Sequence, residues 1–282
     1  VSSAFPLHQR GDLSISGPVT RTMNHKQPAR GVHLLSILIL LGISTSQGAA
    51  QWDGEIVAER THHTQTPWLL PVGSVQIELG GLYEKDPDKW TFSYPLAQVR
   101  LGVMDNVELR FGGEYIHDLK ENKGTHVRQG LNSPTVGAKI LITPEENGLL
   151  RTAFIGQIRL PYGSTYFRPD YAAPSFYVST AYRIDDIFDL TGHLGGEWNG
   201  VTGGAHPVYA ASLGFRISDE LHGYAENFGQ LPFGDSLQNY LNAGLIYRPA
   251  ANVQLDLNYA LPFTPAGPDY FMTLGFAWRL PE

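Results

Sequence analysis

Cysteine is absent from this 282-residue sequence. That excludes disulfide frameworks, cysteine nucleophiles, thiolate metal sites and an N-terminal lipidated cysteine together. Long apolar runs are lacking too. The longest, residues 32–43, falls short of the ~20 residues that a transmembrane helix needs, and the mean hydropathy is slightly negative, −0.17. Charge is sparse at 17% of residues and leans acidic, with 20 Lys and Arg against 27 Asp and Glu. A chain of that balance is poorly suited to nucleic acid. Gly-x-Ser-x-Gly, His-Glu-x-x-His, the phosphate loop and Gly-x-Gly-x-x-Gly are all missing, so the common hydrolase, metalloprotease and nucleotide-binding signatures have no foothold.

What the chain does hold is glycine and aromatics: 31 Gly, 14 Tyr, 13 Phe and 5 Trp. That mixture suits an all-β protein with close backbone approaches and aromatic residues at an interface.

The first 50 residues read as non-structural. Residues 1–22 are expected to be an upstream extension ahead of a plausible start at Met23. Residues 23–50 have a basic head with Lys26 and Arg30, the short apolar core 32–43, and a small-residue exit at Gly48, Ala49 and Ala50, the layout of a secretory signal peptide. Cutting near Ala50 leaves 16 basic and 26 acidic residues, because Arg10, Arg21, Lys26 and Arg30 go on one side and Asp12 on the other. Residues 51–72 are expected to be a flexible periplasmic tail; its adjacent His62 and His63 would face opposite ways on a strand, which argues against a metal site there.

From residue 73 to the end the pattern has period two, the signature of strands with one apolar face. Val75, Ile77 and Leu79 alternate with Gln76, Glu78 and Gly80, and Val107, Leu109 and Phe111 with Glu108, Arg110 and Gly112. Twelve strands are predicted: 74–83, 90–103, 106–115, 133–143, 149–161, 174–184, 189–199, 207–217, 221–230, 238–248, 252–261 and 269–280. Pro95 predicts a bulge or irregularity in the second. Tight turns such as 104–106, 185–187 and 218–220 alternate with mostly longer loops, 117–131, 162–173, 200–206 and 262–268. Short connections on one side and long ones on the other describe a transmembrane antiparallel β-barrel in the bacterial outer membrane, with both termini periplasmic.

The last strand sharpens this reading. Tyr270, Met272, Leu274, Phe276, Trp278 and Leu280 fall on one face. Thr273, Gly275, Trp278 and Leu280 resemble the C-terminal signal by which barrel assembly machinery recognises outer-membrane proteins. Expected partners are therefore that machinery, outer-membrane lipid and a small-molecule permeant; no cofactor is expected.

Several stretches resemble a bacterial outer-membrane transporter family, the phenol-degradation (MetA-type) pathway proteins. They are residues 70–74 (Leu-Pro-Val-Gly-Ser), 104–110 (Met-Asp-Asn-Val-Glu-Leu-Arg), 133–139 (Ser-Pro-Thr-Val-Gly-Ala-Lys), 144–148 (Pro-Glu-Glu-Asn-Gly), 160–164 (Leu-Pro-Tyr-Gly-Ser) and 268–271 (Pro-Asp-Tyr-Phe). The resemblance covers nearly the whole chain after residue 50. It implies a barrel, export, and passage of small aromatic or hydrophobic compounds, and it carries no active site.

If the apolar set faces lipid, the other set lines the lumen: Glu78, Glu108, Arg110, Glu114, Lys139, Arg159, Arg183, His193, Glu197, Glu226 and Asp256. Eight strands leave room only for packed side chains and 16 to 18 leave an open channel, so twelve predict a narrow passive channel. Arg100, Arg110, Arg183, Arg216, Arg248 and Arg279 lie near the short turns, as a solvated rim or a positive vestibule. Two other readings remain open at this point. One is a structural surface barrel, acting through loops such as 117–131, whose lumen is closed by salt bridges. The more remote one is an outer-membrane lipid hydrolase, for which His117 beside Asp118 is the only candidate pair.

Overall fold

A computed structural model describes residues 55–59, 63–87, 89–120, 126–143, 150–201, 203–232 and 236–280. The expected extension and signal peptide lie outside these residues.

The described chain is all-β: β1 (Val75–Asp86), β2 (Lys89–Met104), β3 (Val107–Lys120), β4 (His126–Leu131), β5 (Thr135–Thr143), β6 (Arg151–Arg159), β7 (Ala173–Arg183), β8 (Phe188–Trp198), β9 (Ala205–Arg216), β10 (Leu221–Gln230), β11 (Gln238–Ala250), β12 (Val253–Pro262) and β13 (Tyr270–Arg279). Apart from β4 and β5, sequence neighbours pair antiparallel, and β1 pairs with both β2 and β13. The sheet therefore closes on itself without free edges, the arrangement that satisfies every wall N–H and C=O inside a bilayer. β3 pairs with β5 along residues 107–112 and with β4 along residues 115–120. β4 and β5 thus share one position in the wall, and the barrel has twelve strand positions.

The predicted strands match this layout with one correction. Residues 117–131 were expected to form a loop, but β3 runs to Lys120 and β4 occupies 126–131. Their pairing continues the wall upward past the break at 132–134, where Asn132 N donates to Glu114 O at 2.9 Å. Beyond the end of β6, the loop after Arg159 backs β4: Ser164 N donates to Leu131 O at 2.8 Å. At Pro95 the β2–β3 register slips between Ser93 and Leu96, as a residue that cannot donate to the ladder demands.

The wall is inside out relative to a water-soluble protein. Leu274 and Leu194 are 65% and 71% exposed, with Phe111, Ile158, Leu245 and Leu257 on the same outer surface, whereas Arg100 and Lys139 inside are 1% and 0% exposed. β13 reads buried, exposed, buried without interruption from Phe271 to Arg279. An apolar exterior continuous around a closed barrel belongs in lipid, and this is a transmembrane barrel. Short connections, 104–107, 183–188, 216–221 and 250–253, gather at one rim; the longer 159–173, 198–205, 230–238 and 262–270 gather at the other.

Candidate functional site: a filled lumen

Inside the wall lies a second layer. Residues 55–59 and 63–72, expected as a flexible tail, run through the lumen instead. The reason is chemical: this polar stretch offers backbone groups and two carboxylates, Glu55 at the rim and Glu59 inside, to cationic side chains of the wall.

The segment enters at the rim of short connections. There Arg248 holds Glu55 at 2.7 Å and donates to Ile56 O at 2.9 Å. Ile56 and Ala58 then pack against Ala277, and Val57 O accepts from Arg100 Nη1 at 2.7 Å and Gln76 Nε2 at 2.9 Å. Farther in, the imidazole of His63 stacks on Phe228 with ring centroids 3.7 Å apart, and Phe271 meets it edge-on. Both phenylalanines sit towards the rim of long loops, so the segment reaches well along the barrel before it returns.

The returning leg is pinned at each step. Glu226 accepts from His63 N, Thr64 N and Thr64 Oγ1, and also from Asn242 Nδ2 at 2.8 Å. Gln65 N donates to His193 Nδ1 at 3.0 Å, Gln65 Oε1 accepts from Arg110 at 3.0 Å, and Gln65 O accepts from Ser179. Arg151 lies over the Trp68 ring at 4.7 Å. Leu70 N donates to Glu108 at 3.0 Å. The chain leaves by the rim where it came in, crossing β2 at Gly102. A Cβ there would lie 1.9 Å from Pro71 O, and Gly73, with φ +84°, turns the chain so that its N–H reaches Gly102 O at 2.8 Å. Only glycine fits the first position, and it is the favoured residue at the second.

The centre of the site is Glu59. Its carboxylate meets Lys139 Nζ at 2.5 Å, Arg110 Nη2 at 3.0 Å and Arg100 Nη2 at 3.7 Å, three cations borne by β5, β3 and β2. Arg100 also bridges Glu108 at 2.7 Å and Glu78 at 3.1 Å, while Glu59 N donates to both oxygens of Glu78 at 3.2 and 3.0 Å. Thr66 Oγ1, from the returning leg, donates to Glu59 at 2.6 Å. Burial alone would raise the Glu59 carboxyl's pKa; Lys139, Arg110 and Arg100 outweigh it and hold the group well below the ordinary carboxylate range. Three cations and three carboxylates thus balance in a buried cluster, one carboxylate coming from outside the wall.

Of the inward residues predicted from alternation, Glu78, Glu108, Arg110 and Lys139 converge on Glu59, and His193 and Glu226 hold the returning leg. Arg159 and Asp256 are buried on the inner face. Glu197 is half-buried and accepts from Tyr177 Oη at 2.6 Å; Glu114, also half-buried, accepts from Asn132 Nδ2. Arg183 stands exposed at the end of β7, a solvated rim position, since the strand has run past the lumen there. In β13, Thr273 points inward and accepts from Asn258 Nδ2, Gly275 is also inward, Trp278 points outward, and Leu280 N closes onto Val75 O at 2.9 Å. Sequence reasoning missed Glu59, Thr64, Gln65 and Trp68. No sequence signal pointed to the first: with Glu114 counted, the inward charges of the first strands, Arg100, Arg110 and Lys139 against Glu78, Glu108 and Glu114, already balance.

His117 and Asp118 do not work as a pair. Asp118 turns inward to Thr91 at 2.8 Å and Lys89 at 3.5 Å, while His117 lies beside Tyr115. Among the described residues there is no group of three His, Cys, Asp or Glu that could hold a metal ion.

The fold and its contents define a class: a twelve-position transmembrane β-barrel whose lumen is filled by its own N-terminal segment and lined by paired charges. The solved structures that resemble it are barrels too. The COG4313 outer membrane channel from Pseudomonas putida F1 superposes with a TM-score of 0.62 at 7% identity, covering 80% of this chain and 100% of that one. The NanC porin superposes at 0.51 and 7% identity, covering 72% and 100%. The KdgM porin, in complex with disordered oligogalacturonate, superposes at 0.50 and 9% identity, covering 72% and 98%. At such identities the likeness concerns the fold alone. No curated protein matches the sequence. Residues 51–280 match the family described as "Putative MetA-pathway of phenol degradation", and the chain belongs to that family.

Proposed function

We propose that this protein is a passive outer-membrane channel for small organic solutes, aromatic or hydrophobic ones among them, with both termini on the periplasmic side. The observation that carries the reading is the inverted distribution of side chains. A closed wall that is apolar outside and densely charged within has the chemistry of a lipid-embedded passage. The family's description speaks for aromatic compounds, and so does the ring cluster of Phe228, Tyr240 and Phe271 inside the barrel, with Phe228 and Tyr240 stacked at 5.3 Å. Thr273, Gly275, Trp278 and Leu280 would serve recognition by the assembly machinery. We assign no reaction to the protein.

In this reading the inner segment makes the passage narrow, and solute flux depends on how far it yields. Single-channel recording in planar bilayers, paired with liposome uptake of small aromatic and aliphatic compounds, tests the proposal. Resolvable conductance with uptake of neutral aromatics supports it. One observation favours a second reading, a closed structural barrel: with Glu59 in place the central cluster is charge-balanced and almost wholly buried. A protein that neither conducts nor takes up solute, even when the segment is unseated by Glu59→Lys, would be that scaffold.

A further inference from the structure

The geometry points to a carboxylate-binding site in the barrel wall, built by Arg100, Arg110 and Lys139, which Glu59 of the inner segment occupies as a built-in ligand. The proposal rests on the channel reading for its use in passage, where the ligand is a small organic monocarboxylate; binding itself does not require passage.

Three observations carry it. The first is origin: the cations come from three neighbouring wall positions, whereas the carboxylate that they share belongs to a segment outside the wall. The second is charge. Without Glu59 the wall keeps Arg100, Arg110 and Lys139 against Glu78 and Glu108, an excess of one positive charge in a buried setting. That excess selects a monoanion. The third is fit. Arg110 Nη2 lies 3.0 Å from Glu59, and its Nε lies 3.3 Å from Glu108. Yet neither nitrogen makes a hydrogen bond, although both are buried. A carboxylate tethered by its own backbone reaches the guanidinium at a poor angle. A free one can turn into the planar two-bond arrangement that guanidinium favours, and this planarity separates carboxylate from chloride.

Docking of the segment and binding of a carboxylate are then competing events at one place. An arriving carboxylate that replaces Glu59 frees Thr66 and so removes one anchor of the returning leg; the solute loosens what fills its own path.

Two experiments on the full chain, folded in detergent, test this. In Glu59→Ala, sodium acetate should raise the temperature at which the compact, fast-migrating form is lost, saturably and by roughly 3 °C at ten times its dissociation constant. Sodium chloride at equal ionic strength should not, and adding Arg110→Ala should abolish the effect. Equal shifts from both salts, or none from acetate, overturn the site. The second experiment keeps Glu59 and needs no loss of the cluster. In Thr64→Cys, the single thiol of an otherwise cysteine-free chain should be labelled several-fold faster in acetate than in chloride. Unchanged labelling overturns the competition even if Glu59→Ala fails to fold. Acetate binding by a protein silent in bilayers would leave the site standing and reject the channel; conduction without any acetate effect would do the reverse.

Discussion

The Arg110 guanidinium lies 3.0 Å from the Glu59 carboxylate, and the two belong to different layers of the molecule. Arg110 is part of the wall; Glu59 belongs to a stretch that the wall encloses. The filling of this barrel is therefore held mainly by hydrogen bonds and charge, with apolar contact limited to places such as Ala58 against Ala277 and His63 on Phe228. An attachment of that kind responds to single charges.

Reversing Glu59 should unseat the segment. Glu59→Lys sets a fourth cation beside Arg100, Arg110 and Lys139, and we expect a larger single-channel conductance than in the wild type. Gly102→Ala should act the same way by another route, since its Cβ would overlap Pro71 O at 1.9 Å. Planar bilayers read both. Wild-type conductance in each variant would show that the segment does not limit flow.

The two faces of β12 should respond oppositely. Leu257 is exposed on the outside and Asp256 is buried within. An arginine on the lipid face costs ~2 to 4 kcal/mol at mid-bilayer, so Leu257→Arg should impair assembly while Asp256→Asn leaves it largely intact. Heat-modifiable gel mobility of the two variants is the measurement.

Within the central cluster, removing one partner should be costly. Arg100→Leu leaves Glu78 and Glu108 facing each other without their shared cation, a loss of about 3 to 5 kcal/mol. Arg183→Ala, at the exposed rim, should stay within about 0.5 kcal/mol. Urea unfolding of barrels refolded in detergent compares them.

Arg159 offers a test of ion preference. It is buried on the inner face of β6 while its neighbour Ile158 faces out. Poorly screened charge beside a permeant acts strongly, so Arg159→Ala should shift selectivity towards cations and Ile158→Val should not. Reversal potentials under a salt gradient give the answer.

The wall was legible in the sequence because its rule is local. Side chains alternate every second residue on any strand, and a register slip would turn a whole apolar set inward; Leu257 beside Asp256 and Ile158 beside Arg159 therefore declared their faces without any knowledge of partners. β4 escaped because its six residues end in Gly130 and Leu131 beside a break, too short a stretch for alternation to stand out from a loop. The inner segment escaped for a deeper reason. It has no periodicity, and its partners are remote: Gln65 meets His193 across 128 residues of chain, and Thr64 meets Glu226 across 162. Those contacts exist only once the barrel has closed. The sequence by itself determined strands and faces; tertiary structure alone decided that residues 55–59 and 63–72 occupy the lumen, because a polar chain without local order goes where the enclosed charges need it.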